Sequence, residues 1–356
     1  MRNLPCGELN RAVRGSAAGE GFPLRSKLLR RLLTPIFALL FLTGAVSSAG
    51  ARTLMPGGQS IGVAVMTEGL VVIGASDIGS IPSPARLAGL KPGDIITGID
   101  GKPVGGVEEL LSMLGEKGVK VTYTRGAETK NATLTPAKDE TDGKFKLGVW
   151  VRDSTAGIGT LTFYDPETGR YGALGHAVTD TDAGIVLPIA GGAIYENSIV
   201  DVKRGEEGTP GEIIGQFYDG GYLGTIDENT DFGIFGDAQE GMKNALYPNG
   251  IETADPDDVR TGRAKILTTV GDEGLAEYDA QIVRIENQEE PTTRSFTIRV
   301  TDKRLLDRTG GIVQGMSGSP VLQDGKLVGA VTHVYVNDPT MGYGVYIDWM
   351  LKNEAA

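Results

Sequence analysis

Three rhythms of apolar and polar positions follow one another along the chain. The stretch LLTPIFALLFLTGAV, residues 32–46, is apolar almost throughout and has no face. From Gly57 the pattern changes to short alternating runs: GGQSIGVAVMTEGLVVIGA reads as two strands, and VKVTYTR and NATLTPA as two more. Between them SPARLAGLKPGDIITGIDG predicts a short helix and a strand. Pro84 suits the helix's first turn and Gly89 its carboxyl end. GVEELLSML places Val107, Leu110, Leu111 and Leu114 at helical spacing, so one helical face is apolar. After residue 146 the rhythm is that of short β runs set apart by Gly, Asp and Asn clusters: LGVWVRD, GIGTLTFYD, AKILTTV, YDAQIVRIE, SFTIRV and GKLVGAVTHVYV. Strands at this pitch predict a barrel or sandwich rather than alternating β/α units. KDETDGKF, residues 138–145, is polar and charged and divides the two regions.

Composition sharpens this. With 53 glycines in 356 residues and only 6% aromatic content, many tight turns are required, as a mostly β protein needs. The net charge of −12 excludes nucleic acid as a partner, because that binding rests on neutralising phosphates with Lys and Arg. One cysteine, Cys6, and two histidines cannot form a disulfide or close a zinc shell, so no metal or cofactor is expected. No phosphate-binding glycine loop follows a strand. Arg25, Lys27, Arg30 and Arg31 precede the apolar run and SSAGA follows it, which is the layout of an export signal. The chain therefore divides into an extension (1–24), a signal peptide or membrane anchor (25–50), a first unit (54–137), a linker (138–145) and a second unit (146–356), with the folded part outside the cytoplasmic membrane.

The run SPARLAGLKPGDIITGIDG resembles the helix–strand signature of bacterial PDZ domains, through Ala88, Gly89, Leu90, Gly93, Asp94, Ile95 and Ile96. The resemblance implies a peptide ligand that adds as an extra strand, its end held by backbone N–H groups of a glycine-containing loop. Ser60-Ile61-Gly62-Val63 fits the x-apolar-Gly-apolar pattern of that loop; the alternative is that Ile61 and Val63 are core residues of a strand.

The second unit carries the residue types of acyl transfer. A serine hydroxyl needs a base to take its proton, and a carboxylate usually orients that base. GMSGSP matches G-x-S-G-x-P, the turn around the active serine of chymotrypsin-like proteases, with Ser317 central and the N–H groups of Gly315 and Ser317 as the oxyanion hole. Ser319 is read as structural. PVLQ-DGK-LVGAVTHV, which follows, is a hairpin. Of the two histidines, His333 lies in a continuous strand run and reads as a packed or rim residue. His176 opens the polar segment HAVTDTDAG and suits a base projecting into a cleft. Candidate acids are Asp180, Asp182, Asp231, Asp302 and Asp307. Asp302 is preferred because it continues the parity of Phe296, Ile298 and Val300 on the inward face of a strand.

Together GMSGSPVLQDGKLVGAVTHV, LGHAV and PGGQSIGV resemble the stage IV sporulation protein B (SpoIVB) peptidase family over residues 54 to 350. The resemblance implies a PDZ domain followed by a chymotrypsin-like, double β-barrel-type serine peptidase domain. His176, Asp302 and Ser317 then stand where that family has its catalytic histidine, aspartate and serine. It further implies a role in endospore formation, in the space between forespore and mother cell. There the enzyme would cleave itself and a membrane-bound regulator, releasing an intramembrane metalloprotease that activates a late sigma factor. The alternatives are an HtrA-like quality-control protease, whose domain order is reversed, and an exported PDZ scaffold without catalysis.

Overall fold

The structure is a computed structural model and describes residues 51–239, 242–271, 273–286 and 290–354. The extension, the export segment and Cys6 lie outside the described residues. Residues from Ala51 on form one compact unit.

Two strands open it, β1 (Thr53–Pro56) and the long β2 (Ser60–Ala75). The short helix α1 (Pro84–Leu87) follows, capped by the Ser83 hydroxyl accepting from the Arg86 N–H, with Pro84 in its first turn. Gly89 just beyond it has φ +82°, a left-handed residue where glycine has no Cβ penalty. Then come β3 (Ile95–Ile99), α2 (Val107–Met113), β4 (Val119–Arg125) and β5 (Glu128–Leu134). Leu70, Val72, Ile96, Leu110, Val121 and Leu134 form the core of this small region.

The stretch expected to be a linker is a hairpin. Ala137–Lys138 pairs antiparallel with Phe145–Lys146, and Lys146 binds Asp139 at 2.6 Å and Asp142 at 2.8 Å. Polar composition marks a surface turn as readily as a boundary. Beyond it runs β6 (Val149–Tyr164), as long as β2 and antiparallel to it. Residues 149–152 of β6 pair with 71–75 of β2 in the small region, whereas 154–160 pair with 60–66 in the next lobe. The division at 138–145 therefore does not separate two domains: β2 and β6 belong to both.

That next lobe adds β7 (Arg170–Ala173), β8 (Ile189–Lys203), β9 (Glu212–Ile226) and β10 (Gly233–Asp237). Its strands and those of the small region make one 13-stranded sheet, not a separate closed barrel. The carboxyl-terminal half does close, in the order β11 (Gly262–Thr269), β12 (Leu275–Ile285), β13 (Phe296–Val300), β16, β15, β14. Here β14 is Pro320–Gln323, β15 Lys326–Tyr335 and β16 Asp338–Tyr346. Helix α3 (Lys303–Thr309) leaves β13, and α4 (Ile347–Asn353) ends the fold. The hairpin of β14 and β15 turns at Asp324 and Gly325, both at positive φ, as the DGK sequence predicts. Leu54, Phe163, Phe235, Leu327, Val345 and Met350 form one buried cluster that joins β1 and β6 to the barrel.

Candidate active site

The turn carrying Ser317 lies between the barrel strand β14 and residues 312–314, which dock on β9. Ile213 N–H donates to the Gln314 carbonyl at 2.8 Å, and Gln314 N–H to Gly211 at 2.9 Å. Gly315 and Gly318 have φ of +96° and +95°. Glycine at 318 is also a spatial requirement: a Cβ there would stand 2.1 Å from the Thr160 carbonyl oxygen. Within the turn Met316 N–H donates to Val313, Gly318 N–H to Val331 and Ser319 N–H to Met316. The N–H groups of Gly315 and Ser317 alone in this turn donate to no acceptor among the described residues. These are the two that the sequence pattern assigns to an oxyanion. Ser319 is fully buried and its hydroxyl donates to Thr268 at 3.0 Å, a structural contact.

His176 arrives from β7. Leu174 and Gly175 both have φ +70°, which ends the strand abruptly and turns the next side chain away from the ladder. Beyond it Asn229 holds the chain: its Oδ1 accepts from Val178 N–H, and its Nδ2 donates to the carbonyls of Val178 and Leu187. Nδ1 of His176 lies 2.9 Å from the Ala177 carbonyl. A carbonyl only accepts, so Nδ1 carries the proton and Nε2 is the basic nitrogen of the neutral ring. Burial lowers the imidazole's pKa, opposed in part by the Ala177 contact.

Two cavities meet at this point. The larger, about 700 Å³, is lined among others by His176, Asp231, Phe232, Val313, Ser317 and His333. The smaller, about 300 Å³, is lined by Ile158, Leu174, His176, Gly315 and Ser317 with their neighbours. His176 and Ser317 line both, so base and serine share one cleft, with Gly315 on its wall. The Ser317 hydroxyl donates to the Thr332 carbonyl at 2.9 Å, so the serine is parked on β15. His333, on the same strand, has its ring 5.0 Å from that of His176. It is a rim residue as read, but the rim is that of the catalytic cleft, which strand periodicity could not reveal. Burial, then His176 and Arg294, lower its pKa to about 4.

Asp302 is not part of this assembly, and the expectation for it is corrected. Strand β13 stops at Val300, so inward parity no longer applies two residues later. Asp302 instead caps α3, accepting from Arg304 N–H at 2.8 Å and Asp279 N–H at 3.2 Å, with the Arg304 guanidinium 2.8 Å away. The Arg304 contact chiefly holds its carboxyl down at about 2. Asp180 and Asp182 bind Arg152, and Asp307 is exposed. Asp231 lines the larger cavity and hydrogen-bonds neither imidazole among the described residues.

The peptide loop expected at Ser60-Ile61-Gly62-Val63 is likewise corrected. These residues open β2, paired with β6 on one side and, from Ile61, with β8 on the other. Ile61 and Val63 pack in the core beside Leu161 and Ile194. No edge is left there for a ligand. The same x-apolar-Gly-apolar pattern recurs at Lys146-Leu147-Gly148-Val149, where the chain enters β6. Residues 149–152 pair only with β2 among the described residues, next to α2, whose Val107 N–H donates to Asp153. This is an open sheet edge of the small region, on the side opposite β5.

A model of the SpoIVB peptidase S55 family matches residues 143–351, and one of the PDZ domain matches residues 80–124. The magnetosome formation protease MamE of Magnetospirillum gryphiswaldense is 29% identical over 128 residues, 35% of this chain and 14% of MamE. The chain thus spans about one seventh of that relative's length. Among solved structures, the PDZ domain of the SdrC-like protein from Listeria monocytogenes is 25% identical, covering 24% of this chain and 90% of that one, with a TM-score of 0.21. The Rv3671c protease from M. tuberculosis, active form, is 14% identical over 56% of this chain and 72% of its own, with a TM-score of 0.32.

Proposed function

The chain belongs to the SpoIVB peptidase S55 family and is a serine endopeptidase with a PDZ domain, and from that premise we propose that Ser317 and His176 are its catalytic pair. The observation that carries this reading is the shared cleft, in which the serine turn has two unclaimed N–H groups. In the reaction Ser317 Oγ leaves the Thr332 carbonyl, gives its proton to His176 Nε2 and attacks the scissile carbonyl. The oxyanion is held by the N–H groups of Gly315 and Ser317; one such donor typically contributes about 3–4 kcal/mol. His176 then protonates the leaving amine, and water hydrolyses the acyl-enzyme by the same route in reverse. Among the described residues no carboxylate hydrogen-bonds the ring, and the Ala177 carbonyl fixes its tautomer.

The substrates are peptides or proteins. An extended segment fits the open edge at residues 149–152, where main-chain pairing would supply affinity. The basic and apolar amino end supports export, with residues 25–50 cleaved or retained as an anchor. Family membership supports a role in endospore formation: cleavage of a membrane-bound regulator of an intramembrane protease, and of the chain itself.

The test is incubation of wild-type and Ser317→Ala full-length protein, with mass spectrometry of amino-terminal fragments and labelling by a fluorophosphonate. Wild type should self-process and take the label at Ser317, and the variant should do neither. Fragments that accumulate equally in both would end the reading.

A further inference from the structure

The loop that holds Ser317 is fastened to β6 at three places, and two of them are one residue. Thr160 N–H donates to the Ser317 carbonyl at 3.0 Å, and its hydroxyl donates to the Gly315 carbonyl at 2.7 Å. Thr162, the next residue of that parity, donates its hydroxyl to the Gly318 carbonyl at 2.8 Å. The Thr160 carbonyl accepts from Leu174 N–H at 3.2 Å, two residues before His176. Thr160 thus ties the serine segment and the histidine segment to the same strand. Both threonines are fully buried on a strand whose neighbours are Leu161 and Phe163. A buried hydroxyl is costly without a partner, and valine would fill the volume with equal strand preference.

The peptide planes of the turn show what the Thr160 hydroxyl does. The plane that presents the Gly315 N–H is held through its other end, the Gln314 carbonyl, by Ile213. The plane that presents the Ser317 N–H is held through the Met316 carbonyl by Ser319. Between them lies the 315–316 plane: its N–H, that of Met316, donates to Val313 at 3.1 Å, and among the described residues its carbonyl is held by the Thr160 hydroxyl alone. It follows a glycine at φ +96°, a residue free to adopt other conformations. Rotation of this plane would turn the two oxyanion donors out of common alignment.

We propose that Thr160 is a positioning residue for the oxyanion-binding turn, acting through its hydroxyl on the Gly315 carbonyl. The inference rests on the serine peptidase reading above. Its test uses the full-length chain, with kcat and KM on labelled casein and the rate of fluorophosphonate labelling, for wild type, Thr160→Val and Thr160→Ser. Thr160→Val removes the hydroxyl at constant volume and should lower kcat and the labelling rate by about 10²-fold, the scale of one lost oxyanion donor, with KM within twofold. Thr160→Ser keeps the hydroxyl and should recover kcat to within a few-fold. Equal impairment of Val and Ser variants, or a Val variant within threefold of wild type, overturns the proposal. Should Thr160→Val not fold, Thr160→Ala, which also lacks the hydroxyl, is measured in its place against the same limits. Wild-type protein unlabelled at Ser317 would overturn the peptidase reading itself, an outcome distinct from a labelled wild type with an equally labelled variant.

Discussion

Burial lowers the basicity of the His176 ring, with the Ala177 carbonyl partly opposing. The charged imidazolium loses hydration inside the cleft, so the neutral ring is favoured and the pKa falls below the ordinary value of about 6.5. A neutral ring is the form that accepts the serine proton. The acid limb of kcat/KM should therefore have its midpoint below pH 6.5, and activity should persist at a pH where an exposed histidine is half charged. A pH profile from 4 to 8 checks this, and a midpoint at or above 6.5 would contradict the buried base. Stability has the same sign. Both histidines have folded pKa values below their unfolded ones, so their contribution is complete above about 6.5. It is lost as pH falls, for His333 down towards about 4.

At the scale of single elements, legibility followed how local the determinants were. The serine turn was readable because glycines at 315 and 318 answer a demand made within six residues, positive φ and close approach, that few sequences meet. The hairpin after it was readable for the same reason. Asp302 was not, because its role depends on where β13 stops, and alternation alone does not mark an end. At the amino end of α3 its carboxylate caps the Arg304 N–H, accepts from Asp279 N–H of β12 and binds the Arg304 guanidinium. Asp302→Asn keeps the cap on Arg304 N–H, since asparagine is as good a capping residue, and loses the charge and the second acceptor oxygen, which holds Asp279 N–H and the Arg304 guanidinium. An aspartate orienting the catalytic base would cost about 10⁴ in kcat on that change. Here the expected cost is less than fivefold, with a modest fall in melting temperature. Thermal melts and steady-state kinetics separate the two roles. Thr160 left no mark in sequence either: GTLTFY reads as an ordinary strand, and only the fold brings its hydroxyls beneath the serine turn.

For the whole molecule, what sequence order implied was two units in series, and what packing made is one sheet threaded through both. The reason is length. At about 3.3 Å per residue, the 16 residues of β2 and the 16 of β6 each span roughly 50 Å, enough to leave one hydrophobic core and enter another. Residues 60–66 of β2 lie between β6 and β8 and send Ile61, Val63 and Val65 into the core of the catalytic lobe. Burying such side chains contributes about 1.5–3 kcal/mol each. Three of them amount to a sum comparable with the whole net stability of about 5–15 kcal/mol of a typical domain. Their removal would also leave two long strand edges unpaired. A fragment of residues 146–356 carries Ser317 and His176 but lacks β2. It should therefore neither melt cooperatively nor react with a fluorophosphonate, whereas residues 51–356 should do both. Calorimetry and labelling of the two chains decide the point. A cooperatively melting, labelled 146–356 fragment would mean that the catalytic lobe is complete without the strand that passes through it.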